Sequence, residues 1–114
     1  MQDRVNYYIK RLERIHREVY DEERKMVELQ RELTLLKVAN EMRISELYMT
    51  GKIDGSNEQM RKAQIIHYTQ ELHGDIATYE NLYAEQRAIY NAKKREADDL
   101  QFIVRLIEST IRPK

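Results

Sequence analysis

The residues of this chain that could do chemistry are few and widely spaced. One metal-like spacing is Glu13-x-x-His16, which places a carboxylate and an imidazole on one face of a helix. A di-iron bundle needs two such pairs and two further carboxylates. In the second half of the chain an amide replaces the carboxylate, in Gln64-x-x-His67 and Gln70-x-x-His73. We interpret Glu13 and His16 as a solvated pair and expect no metal or other cofactor.

Enzymatic motifs are equally weak. Asp98 and Asp99, with Glu96, resemble paired carboxylates but fall within a charged helical stretch, which is typically a solvated face. Gly51-Lys52 lacks the preceding glycine of a phosphate-binding loop. The chain has no cysteine, so thiolate chemistry is absent. We therefore predict a protein that is not an enzyme and has no catalytic residues.

Composition favours long, solvent-exposed helices. Charged residues make up 35% of the 114 residues, and glycine and proline together number four. Formal net charge is zero, which argues against a strongly basic surface over the whole chain. The sequence contains no signal peptide and no apolar run of about 18 residues, so we predict a cytoplasmic protein without membrane contact.

One break interrupts the helical pattern, between Met49 and Asn57. Gly51 suits the left-handed residue that ends a helix, and Gly55 belongs to the same turn. Ser56 is predicted to be the N-cap of the next helix, with Gln59 completing a capping box. The expected layout is a single domain over residues 1–114, with helix 3–50, turn 51–56 and helix 57–112. Pro113 is predicted to end the second helix.

Both helices carry an apolar repeat of seven residues, which predicts a coiled coil. Ten of thirteen seam positions are apolar in the first helix and eleven of fourteen in the second. The seam positions are Val5, Tyr8, Leu12, Ile15, Val19, Glu22, Met26, Leu29, Leu33, Leu36, Asn40, Arg43 and Leu47, then Ile65, Thr69, Leu72, Ile76, Tyr79, Tyr83, Gln86, Tyr90, Lys93, Ala97, Leu100, Val104, Ile107 and Ile111. A short turn between two such helices predicts a long antiparallel two-helix coiled-coil hairpin, an all-α fold.

Folding about the turn should bring polar seam positions level with one another. Glu22 is predicted to lie near Gln86, and Asn40 near His67 and Thr69. Gly74 falls inside the second helix, where glycine costs about 1 kcal/mol relative to alanine. We expect a continuous but weakened helical turn there, with a helix break at Gly74 as the alternative.

Apolar residues outside the seam predict self-association, since large exposed apolar patches usually mark interfaces. The hairpin would bring the C-terminal apolar run beside the N-terminal tyrosines. We expect a homodimer with a four-helix arrangement, or alternatively scattered surface hydrophobic residues. The predicted interface residues are Tyr7, Ile9, Phe102, Ile103 and Leu106.

The same end of the hairpin is predicted to be basic. Residues 1–20 and 90–114 contain eleven basic and seven acidic residues, which leaves a net charge of about +4. Such a patch could contact phosphates, although alternating charges on a helix surface explain it equally well. The residues for nucleic-acid contact would be Lys10, Arg11, Arg14, Arg17, Lys93, Lys94 and Arg95.

The segment from Leu47 to Gln64 resembles a turn pattern of small phage and prophage helical proteins of unassigned function. A Thr-Gly-Lys turn meets Asn-Glu, and Arg-Lys-Ala-Gln follows. The matching positions are Thr50, Gly51, Lys52, Asn57, Glu58, Arg61, Lys62, Ala63 and Gln64. The resemblance implies a mobile-element protein acting near replication or recombination, and it implies no reaction. Asn57 and Glu58 also suit a helix start by capping and dipole effects.

Two functions follow from this sequence. The first is a coiled-coil interaction or scaffold protein that associates with itself and binds a protein partner in the host cytoplasm. The alternative is a nucleic-acid-binding accessory factor that uses the basic end.

Overall fold

The protein is all-helical over the residues that its computed structural model describes, which are 2–111, with side chains for 2–110. Helix α1 spans Gln2–Met49, α2 spans Glu58–Tyr68 and α3 spans Gln70–Ile111. The predicted stop at Arg112 lies outside the described residues. None of the described helices is long and apolar enough to cross a membrane.

The chain divides into two compact units. Unit 1 combines residues up to Val27 with those from Ala84 onward, and unit 2 comprises Glu28–Tyr83. Within unit 1, α1 and α3 run antiparallel, as ion pairs from Arg11 to Glu96 and from Glu18 to Lys93 show. Within unit 2, Lys37 pairs with Glu80 across the same two helices.

The predicted seam is the side of the helices that packs. Every seam position with a described side chain, in both helices, is buried or half-buried. In unit 1 a core of Ile15, Ala97 and Leu100 is covered by Tyr8, Leu12 and Val19. In unit 2 the buried residues include Leu33 and Leu47, together with Ile53 from the turn. The seven-residue repeat therefore identified the packed face correctly in each unit.

The sequence predicted one continuous helix from residue 57 to 112, but the structure divides this segment into α2 and α3. It is interrupted at Thr69, where φ is −111° and ψ is 16°. The Thr69 hydroxyl donates to the Ile65 carbonyl at 2.7 Å, and that carbonyl also accepts the Thr69 backbone N–H at 2.9 Å. Thr34 and Thr78 make the same hydroxyl bond without interrupting their helices. Thr69 differs because the His73 Nδ1 atom also lies 3.0 Å from its carbonyl oxygen. The alternative of a break at Gly74 is also wrong, because α3 runs through Gly74.

The turn confirms one predicted helix end and corrects the other. Gly51 has φ of 73°, and its N–H bonds to the Tyr48 carbonyl while the Lys52 N–H bonds to the Leu47 carbonyl. This pair of bonds is the Schellman motif that ends a helix at a left-handed residue. The N-cap of α2 is Asn57, whose side chain accepts the Met60 N–H at 2.8 Å, and not Ser56. α2 therefore begins at Glu58, and the capping box predicted from Ser56 and Gln59 does not form.

Candidate interaction sites

Side chains with metal-like spacing remain on the surface. Glu13 and His16 are both exposed. Within residues 2–111, no three histidine, aspartate or glutamate side chains come together in a way that could hold a metal ion. His73 instead contacts Thr69, with its Nδ1 at 2.9 Å from the Thr69 hydroxyl. Glu13 and His16 are therefore surface residues, and His73 belongs to the helix interruption at Thr69.

A polar bridge joins the helices of unit 1 at the predicted level. The Gln86 side-chain amide donates to the Glu22 backbone carbonyl at 3.0 Å and also to the Glu22 carboxylate. This hydrogen bond lowers the pKa of Glu22, and Lys25 lowers it further. On the next turn Lys93 Nζ lies 3.1 Å from Glu18, and that contact raises the pKa of Lys93. The bridge is a polar layer within a mostly apolar seam.

The second predicted polar layer is incomplete. The Asn40 Oδ1 atom is buried and accepts no hydrogen bond from any described residue. Thr69 is buried as well, but its hydroxyl bonds to Ile65, and His67 is exposed. The predicted contact of Asn40 with His67 and Thr69 therefore involves no hydrogen bond.

The seven predicted cationic contacts fall into two groups. Arg11 and Lys93 are half-buried and already paired, with Glu96 at 3.6 Å and Glu18 at 3.1 Å. The remaining five are exposed: Lys10, Arg14, Arg17, Lys94 and Arg95. Of these, Lys94 lies over the Tyr90 ring, with Nζ 5.9 Å from its centre.

Three of the exposed cations share one surface with a tyrosine. Tyr7, Lys10, Arg14 and Arg17 recur at steps of three and four along α1, so they face one direction. They line one shallow depression together with Arg11 and Glu13. Tyr7 is 56% exposed, although Arg11 lies over one side of its ring with Cζ 5.8 Å from the ring centre. We call these four residues the Arg14 face.

The predicted interface residues are only partly exposed. Phe102, Leu106 and Tyr7 are exposed, while Ile9 and Ile103 are half-buried. Phe102 and Leu106 lie four residues apart on α3 and share a face away from the seam residues Leu100 and Val104. Unit 1 therefore presents large apolar side chains to solvent beyond those that its seam uses.

The turn of unit 2 is built around one glutamine. The Gln64 Oε1 atom accepts the backbone N–H groups of Asp54 and Gly55, at 3.1 and 2.9 Å, and its amide donates to the Asp54 carboxylate. Arg61 donates to the Gly55 carbonyl at 3.2 Å. A Cβ atom added at Gly55 would lie 2.8 Å from the Met60 Cβ, so glycine is needed for this close approach.

An apolar groove opens on α1 of unit 2. Val38, Met42 and Met49 line it from α1, and Leu72 lines it from α3. Its volume is about 890 Å³, and Met42 and Met49 are 68% and 87% exposed. The carboxylates of Glu41 and Glu46 belong to the same lining. We call this feature the Met42 groove.

No match was found among family models, curated proteins or solved structures.

Sequence reasoning missed two features of these sites. Gln64 was part of the turn pattern, but the pattern does not show that its side chain reaches back across the turn. Val38 and Met42 lie outside the predicted seam and were not among the predicted interface residues. Val38 and Met42 are four residues apart, and Met42 and Met49 are seven apart, which is the spacing of a second apolar stripe on α1.

Proposed function

We propose that this chain is a non-enzymatic helical interaction protein that associates with itself and binds a protein partner. One observation carries the proposal. The seam uses one face of each helix, yet Leu35, Met42, Phe102 and Leu106 on other faces are each at least half exposed. Helices of soluble proteins that carry apolar side chains on a second face commonly bury that face against another chain.

The turn pattern of residues 47–64 supports a finer assignment. We place the chain with phage- and prophage-encoded helical proteins of the host cytoplasm, on the basis of the resemblance alone. Sequencing the genes on either side of its own would test this placement, since phage structural or replication genes should flank it. Flanking genes of ordinary cellular metabolism would contradict it.

Sedimentation velocity over about 1–100 µM tests self-association. We expect a mass above that of one chain, and Phe102→Ser with Leu106→Ser tests whether the predicted interface residues form the contact. Val27→Ser is the matched control, because Val27 is also exposed in unit 1 but lies outside the predicted interface. A monomer at every concentration would contradict the proposal, and capture of specific proteins from the native cell would support its second part.

A second candidate function rests on the Arg14 face. Three exposed cations in a row beside an exposed tyrosine suit a phosphate backbone and a stacked base. This accessory role in replication or recombination predicts binding to single- or double-stranded DNA or RNA that weakens steeply with salt. Lack of binding at about 50 mM salt would remove it, because electrostatic contacts are strongest at low ionic strength.

A further inference from the structure

The two units carry opposite charge. Unit 1 contains fourteen basic and eleven acidic residues, for a formal net charge of +3. Unit 2 contains six basic and nine acidic residues, for a net charge of −3. The neutral whole therefore combines two units of opposite charge, and each unit is complementary in charge to the other unit of a second copy.

The local surfaces follow the same division. Glu41 and Glu46 line the Met42 groove, and both are exposed. Arg43 also lines the groove and donates to Glu46 at 3.0 Å, so the charged residues of the lining carry a net charge of −1. The groove thus offers an apolar floor with acidic borders.

The Arg14 face has the matching character. It presents one large ring, that of Tyr7, and three exposed cations on a helical face about three turns long. A helix that enters an apolar groove with acidic borders should carry an apolar anchor and basic flanks.

We propose that the Met42 groove of one copy binds the Arg14 face of a second copy. This inference rests on the proposed self-association and assigns the contact to the Met42 groove and the Arg14 face, so Phe102→Ser with Leu106→Ser should leave the dissociation constant unchanged. Charge distinguishes this pairing from a symmetric one through the same groove. Two grooves facing each other would bring Glu41, Glu46 and their counterparts together, and like charges at an interface oppose binding. Each contact therefore joins different surfaces of the two copies.

Charge reversal with rescue tests the pairing. Arg14→Glu with Arg17→Glu should raise the dissociation constant of self-association at least about tenfold, and Glu41→Arg with Glu46→Arg should do the same. One chain that carries all four substitutions should return to within about threefold of the parent. Glu28→Lys with Glu32→Lys is the control, since it makes the same charge change at exposed sites of unit 2 outside the groove. Circular dichroism should show equal helicity in all variants.

Mixing variants provides a second, independent readout. Met42→Glu blocks only the groove, and the double arginine reversal blocks only the face. An equimolar mixture should therefore form complexes through the one intact groove and the one intact face, although neither variant does so alone. Self-association that survives both reversals would overturn this inference but leave the proposed function standing. If the parent protein is a monomer at every concentration, both this inference and the proposed self-association are wrong. That conclusion holds even if the arginine reversals weaken nucleic-acid binding.

Discussion

The Gln86 amide bonds to Glu22 twice, at its backbone carbonyl and at its carboxylate, across the two helices of unit 1. The bridge lies at the level that the seam register predicted, so it fixes how α1 and α3 align in this unit. Polar layers of this kind cost stability but specify register. Its electrostatic part should depend on pH.

Gln86→Ala should destabilise the protein most at neutral pH. The pKa of Glu22 is lowered in the folded chain from its usual 4.5, so the stabilisation is present above that value and is lost as pH falls through the folded pKa. Urea unfolding at pH 7 and pH 3 should therefore show a larger effect of the substitution at pH 7. Gln30→Ala, at an exposed glutamine of α1, should have little effect at either pH. An equal loss at both pH values would mean that the carboxylate contributes nothing.

Leu33→Ala should lower the free energy of unfolding by about 2–4 kcal/mol, because it leaves a cavity in the seam. Leu33 is 9% exposed, whereas Leu35, two residues along the same helix, is 56% exposed. Leu35→Ala should cost less than about 0.5 kcal/mol. Denaturant titration at low micromolar protein would measure both, and a similar cost for the two would contradict the seam.

Alanine at two glycines should have opposite effects. Gly51→Ala should cost about 1–2 kcal/mol, because φ of 73° is unfavourable for a residue with a Cβ atom. Gly74→Ala should stabilise the protein by about 0.5–1 kcal/mol, since its Cβ would have open space within α3. Thermal unfolding of the two variants gives the sign directly, and destabilisation by Gly74→Ala would show that the site is crowded.

Asn57→Ala should cost about 1 kcal/mol, since it removes the acceptor for the Met60 N–H at the start of α2. Ser56→Ala should change stability by only a few tenths of a kcal/mol, because its hydroxyl contacts the Met60 sulfur and caps nothing. Urea titration of the two neighbouring variants would compare them. The reverse order would restore Ser56 as the N-cap.

The seam was predictable because a period of 3.5 residues constrains many positions at once. Polar residues at single positions, such as Glu22 and Gln86, do not shift this period. The start of α2 was not, because Ser56 and Asn57 are both good caps. Which of the two residues caps α2 depends on the position in which Gln64 holds Asp54 and Gly55. Gln64 is ten residues from Asp54 in the sequence, so a local pattern does not reveal this contact.

The interruption at Thr69 escaped sequence reasoning for a related reason. Threonine inside a helix usually bonds harmlessly to the preceding turn, and neither glycine nor proline marks this site. The Met42 groove was missed because the rotation of α1 about its axis decides which outer residues lie beside Leu72. A repeat pattern identifies the face of α1 that packs in the seam, but it does not identify which outer residues of α1 lie beside the neighbouring helix.

The hydrogen bonds that shape the turn all join residues between Glu46 and Gln64. The segment should therefore work as a portable connector, able to reverse the direction of other helical chains into which it is transplanted. A chain that joins two antiparallel helices by the same hydrogen bonds needs similar residues in its turn. Similar geometry therefore explains a shared turn motif without common ancestry.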